Sequence, residues 1–134
     1  MISAKTARML PAVFLLWFSV AVPLPADEAA PVTLAFYNLK NYLAMERRVG
    51  GEIVPDAPKP EREVKAVVAG LTAIQPDILG VCEIGDESFL ADLQSRLWES
   101  GIDLPHTELV RDSAGWNRNL ALLSRFPIVA RNSR

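Results

Sequence analysis

The chain has 134 residues, 14 basic and 16 acidic side chains, a formal charge of −2 and one cysteine. Half of its residues are hydrophobic, enough for one modest core. The charge balance excludes an overall basic field that would hold nucleic acid through its phosphates. A lone cysteine excludes an internal disulfide.

The first residues carry Lys5 and Arg8 and no acid. Residues 9–25 then carry no charge and are dense in Val, Leu, Phe and Trp, before Asp27 and Glu28. This order predicts a signal peptide over 1–26, cleaved near Ala26 or Ala30, and export to the periplasm or the extracellular space. The alternative is a retained anchor. Against it, the run is short for a span of about 20 apolar residues, and Pro11, Pro23 and Pro25 interrupt it. After cleavage no stable membrane association is expected, and the remaining chain is more acidic. The domain is then expected over 32–134.

Residues 32–37 (Val-Thr-Leu-Ala-Phe-Tyr) are β-branched and aromatic and predict a strand that ends at Asn38. Residues 39–59 hold Gly50-Gly51, Pro55, Pro58 and mixed charges, which predicts a long functional or disordered loop with a weak helical turn over 41–48. Residues 60–74 predict a helix. Val64, Val67, Val68 and Leu71 share one face, Glu61 and Glu63 suit its positive end, and Pro76 prevents continuation. The apolar run Ile78-Leu79-Gly80-Val81-Cys82 predicts a strand buried on both faces, with Cys82 a buried, inert thiol. Residues 86–100 predict a second helix, capped by Asp86, with Phe89, Leu90, Leu93 and Leu97 inward and Gly101 at its end. Shorter strands are predicted over 107–111, 120–124 and 128–130.

Strand, helix, strand is a crossover that joins parallel strands, whose C-terminal ends share one sheet edge. Ligands of open α/β sheets bind at that edge. Asn38 and Glu83 are therefore expected on one rim. A carboxylate that directly follows five apolar residues needs a partner, solvent or a cation. Magnesium accepts one or two carboxylates beside water and substrate phosphate. A solvated acid at a strand end remains the alternative.

Three blocks, taken together, resemble the endonuclease/exonuclease/phosphatase family, the deoxyribonuclease-I-like superfamily. They are Leu34-Ala35-Phe36-Tyr37-Asn38-Leu39-Lys40-Asn41-Tyr42-Leu43, Pro76-Asp77-Ile78-Leu79-Gly80-Val81-Cys82-Glu83 and Asn119-Leu120-Ala121-Leu122-Leu123-Ser124-Arg125-Phe126-Pro127-Ile128. The resemblance implies an α/β chain forming the first half of a four-layer α/β/β/α sandwich. It implies Glu83 as ligand of a catalytic Mg2+ (or Mn2+), with Asn38 supporting the metal and phosphate site. The implied reaction is metal-assisted hydrolysis of a phosphodiester or phosphomonoester, with a phosphate ester, nucleic acid among the candidates, as substrate. Lys40 stands near a position that is acidic in some members. The family's catalytic His, Asp-x-Asn and Asp-His motifs have no match here, so the chain is expected to be incomplete at its C-terminus and inactive alone. The alternative is a truncated or degenerate module with a binding role. The oligomeric state is left open.

Arg118, between Asn117 and Asn119 at an expected turn, is a candidate substrate phosphate contact, with a solvated turn residue as the alternative. His106 reads as an ordinary loop or strand-edge histidine. Trp98 reads as core or interface packing, Arg125 as structural, and Arg47-Arg48 as solvated. Trp116 is open to a stacking role.

Overall fold

The computed structural model describes residues 29–132. The expected signal peptide lies outside them, apart from one proposed cleavage position, Ala30. The described chain is mixed α/β, and its elements follow in the order β1 (Leu34–Tyr42), β2 (Met45–Val49), β3 (Glu52–Ala57), α1 (Glu61–Ile74), β4 (Ile78–Ile84), α2 (Glu87–Glu99), β5 (His106–Val110) and β6 (Asn119–Ser124). β1, β4, β6 and β5 lie side by side in that order in one sheet, and β2 and β3 form a separate ribbon. Among the described residues no helix is long and apolar enough to cross a membrane.

The helices form where the apolar periodicity placed them. Val64, Val67 and Leu71 of α1 and Leu90, Leu93 and Leu97 of α2 are buried against Leu39, Leu79, Val81, Ala121 and Leu123 of the sheet. Gln75 ends α1 in a left-handed conformation, its N–H donating to the Leu71 carbonyl. Asp86 caps α2 by accepting from the Ser88 N–H at 2.9 Å. Tyr42, buried at the end of β1, donates its hydroxyl to Asp92 of α2 at 2.6 Å, and burial first, then Asp92, pushes its pKa upward. Arg96 pairs with Asp92 and with Glu61 of α1, so one network ties β1 to both helices.

β1 and β4 pair in parallel, with Phe36 opposite Gly80 and Asn38 opposite Cys82. β6 runs antiparallel to both β4 and β5. The sheet is thus mixed, and among the described residues no element packs on its second face. Leu34, Phe36 and Leu120 are exposed there, so β4 is not buried on both sides. A Cβ on Gly80 would come within 2.8 Å of the Phe36 ring, so glycine lets that ring lie across the neighbouring strand.

The largest departure from expectation is over 39–59. β1 continues to Tyr42, and β2 and β3 form a hairpin in place of a long loop. Gly50-Gly51, both at positive φ, make its two-residue turn, a favoured hairpin signal. Pro55 is tolerated because a two-stranded ribbon has a free side on each strand. Residues 128–130 are irregular, with no strand.

The Asp86 cap gives a test of the helix assignment. The Ser88 hydroxyl and N–H hold the Asp86 carboxyl below its usual range. Its stabilising effect is therefore present above the ordinary carboxylate range and lost as pH falls through the lowered folded value. Asp86→Ala should cost about 0.5–1 kcal/mol at neutral pH. Denaturant titrations from pH 7 to pH 2 should show the gap to the parent protein closing at the acid end.

Candidate functional site

At the C-terminal ends of β1 and β4 the regular pairing breaks. The register shifts between Asn38 and Tyr42 on β1, and between Cys82 and Ile84 where β4 meets β6. Three non-glycine residues in this break have left-handed backbones: Lys40 (φ 49°), Asn41 (φ 61°) and Glu83 (φ 61°). Each costs on the order of 1–2 kcal/mol for an ordinary L-residue, less for Asn. Such strain persists only where surrounding interactions hold it, and it clusters at functional sites.

The interactions that hold it converge on Glu83. Its Oε1 accepts from Asn38 Nδ2 at 2.9 Å, and its Oε2 accepts from the Asn41 N–H at 3.1 Å. Asn38 Oδ1 accepts from the Lys40 N–H at 2.7 Å. This network fixes the orientation of the Asn38 amide, since the reverse would set two acceptors against each other. Arg118 Nε donates to Asn41 Oδ1 at 2.6 Å.

The structure therefore brings together all three residues singled out for the site. Asn38 and Glu83 share a direct hydrogen bond on the expected rim. Arg118 joins them through Asn41. Asn38 presents its nitrogen to Glu83 and turns its oxygen to the backbone, so in this geometry it orients the carboxylate. Cys82 is half-buried, and its thiol pKa is pushed up by burial first and then by the Glu83 charge.

Asn41 and Lys59 were missed in the sequence, and Arg47 was misjudged as solvated. Arg47 donates to the carbonyls of Asn41 (2.8 Å), Leu43 (3.2 Å) and Ala57 (3.1 Å). Lys59 is buried and donates to the Lys40 carbonyl and to Glu63. The one usable signal was Asn41, a residue type that tolerates left-handed backbone. Arg125 pairs with Asp77 at the opposite end of β4. His106 is also at that end, level with Ser124 and Ile78 in the sheet register. Trp98 is exposed, which overturns the core half of its core-or-interface reading and leaves the interface half. Trp116, 64% exposed, borders a recess of about 420 Å3 shared with Leu43, Gly85, Phe89 and Asn117.

Among the described residues no three or more His, Cys, Asp or Glu side chains cluster as a metal cage. What Glu83 offers is a single hard carboxylate. Each of its oxygens takes one N–H and keeps acceptor capacity. That donor set fits magnesium or manganese bound through one carboxylate with water and substrate completing the shell, and it does not fit a closed zinc site. Comparison with family models, with curated proteins and with solved structures found no match to this chain.

Asn38→Asp tests the geometry. It would set a second carboxylate against Glu83 at a distance now spanned by a 2.9 Å hydrogen bond. At pH 7.5 the melting temperature should fall, by an amount corresponding to about 1 kcal/mol at this exposed position. The loss should shrink on adding a divalent cation. An unchanged melting curve would show that the two side chains are not in contact.

Proposed function

We propose that this chain carries the metal-ligand portion of an exported, Mg2+- or Mn2+-dependent phosphoesterase or nuclease of the endonuclease/exonuclease/phosphatase type. The observation that carries this reading is the Glu83 carboxylate, held at a strained strand end by Asn38 and the Asn41 N–H. In this reading Glu83 ligates the cation, Asn38 fixes the carboxylate, and Arg118 lies beside them as a candidate contact for substrate phosphate. The bound cation would polarise a phosphoryl oxygen and neutralise its charge. The substrate is a phosphodiester or phosphomonoester. The sheet with one helix-covered face is compatible with half of a four-layer sandwich, whose second half would cover Leu34, Phe36 and Leu120.

Little hydrolysis is expected from these residues alone. The one histidine of the chain, His106, is at the far end of the sheet, and general acid–base groups contribute roughly 10²–10⁴-fold in rate. Cation binding is thus the sharper test. Titration of the full chain with Mn2+, followed by electron paramagnetic resonance, should show one site that Glu83→Gln removes while the circular dichroism spectrum is kept. Parent protein that leaves all Mn2+ free, or a Glu83→Gln variant that binds as the parent does, would end this reading.

A second reading is a non-enzymatic binding module. The uncovered apolar face favours it, with Phe36 71% and Leu34 72% exposed. Contiguous apolar surface of this kind marks association sites. If it holds, size-exclusion chromatography at rising concentration should show self-association that Phe36→Lys abolishes, with no cation dependence.

A further inference from the structure

The turn that presents the Asn41 N–H to Glu83 has an unusual hydrogen-bond balance. Lys40 and Asn41 leave the β1–β4 ladder, so their four backbone polar groups need partners elsewhere. Both N–H groups point into the site, to Asn38 Oδ1 and Glu83 Oε2. Both carbonyls point away from it, and each meets a cation. Lys59 Nζ reaches the Lys40 carbonyl at 2.9 Å, and the Arg47 guanidinium reaches the Asn41 carbonyl at 2.8 Å.

Lys59 is only 7% exposed. Burying an ammonium is unfavourable unless it is fully partnered, and an ion pair with Glu63 alone could form in solvent at the helix surface. The Lys40 carbonyl is what the buried position adds. Arg47 adds the Ala57 carbonyl to the same set, so the ribbon and the start of α1 are both fastened to the turn. Neither side chain touches Glu83 or Asn38 by any hydrogen bond of this network.

We propose that Lys59, with Arg47, is a positioning residue. The two cations hold the left-handed Lys40–Asn41 turn from behind, so that the Asn41 N–H fixes the Glu83 carboxylate for a divalent cation. The cation-binding part rests on the function proposed above. The positioning part does not, and the two are measured separately.

The test uses the full chain without metal, then with Mn2+. Lys59→Met keeps the apolar stem and removes the donor. Hydrogen exchange at the Asn41 amide should accelerate about tenfold or more, while core amides such as Val81 and Leu93 hold their rates. Mn2+ affinity should weaken by about 10–100-fold, as for other groups that orient a ligand. Arg47→Met should act in the same direction and serves if Lys59→Met fails to fold. Glu63→Gln keeps the Lys59–Lys40 bond and should leave the Asn41 amide as in the parent. Leu71→Ala, a core truncation, should speed exchange broadly through lost stability. The proposal is overturned if Lys59→Met leaves Asn41 exchange unchanged, if it raises all amides together as Leu71→Ala does, or if Glu63→Gln reproduces its effect. A parent chain that binds no Mn2+ removes the functional reading, and the exchange rates still decide the positioning.

Discussion

The structure turns on two residues that leave a strand without leaving a sheet. At Lys40 and Asn41 the backbone adopts left-handed angles, and β1 then resumes pairing at Tyr42 opposite Ile84. The detour costs conformational energy and removes four backbone groups from the ladder. Hydrogen bonds to charged partners, roughly 1.5–3 kcal/mol each, are strong enough to outweigh it. Three of the four partners here are charged: Glu83, Lys59 and Arg47. The detour therefore persists because a carboxylate lies in front of it and two cations lie behind it.

This arrangement explains why elements far apart in sequence meet at one point. β4 delivers Glu83 because it is parallel to β1 and adjacent to it, as the intervening helix requires. The β2–β3 ribbon delivers Arg47 because its turn folds the chain back on itself. The residue just before the Pro60 N-cap of α1 is Lys59, so the entry to that helix delivers the second cation. The loop that enters β6 delivers Arg118 to the Asn41 side chain. The helices, in turn, hold β1 in place through Tyr42, whose ring meets Phe89 edge-on and whose hydroxyl reaches Asp92.

Much of this was legible from residue order. The α1 and α2 periodicities, the parallel β1–β4 pair and the shared rim of Asn38 and Glu83 follow from short-range patterns joined by one topological rule. The ribbon was less legible because Met45-Glu46-Arg47-Arg48-Val49 lacks an alternating apolar face. Its inward side is stabilised by guanidinium and ammonium bonds to carbonyls, which leave no hydrophobic trace. Only Gly50-Gly51 announced it. Arg47 and Lys59 look solvated in the sequence for the same reason. A cation that serves a backbone carbonyl cannot be told from a surface charge until the chain path is known. The β4 reading failed in a different way. Its continuous apolar run matches burial on both faces, yet among the described residues one face is open, and a run of apolar residues does not tell which layer would cover it.

The two faces of the sheet carry different information about function. The covered face is settled by Leu and Val packing and would serve many α/β proteins equally well. The rim carries more particular detail, a carboxylate with two directed N–H donors on a strained backbone, and it is this detail on which the proposed function rests. A solvated acid at a strand end, the competing explanation for Glu83, needs neither Asn38 nor a left-handed Asn41. An orienting shell around one carboxylate is what a weakly coordinated hard cation requires, because with few protein ligands each must be held in place. The reading of Glu83 as a cation ligand thus rests less on the residue itself than on how much of the surrounding chain is bent to hold it.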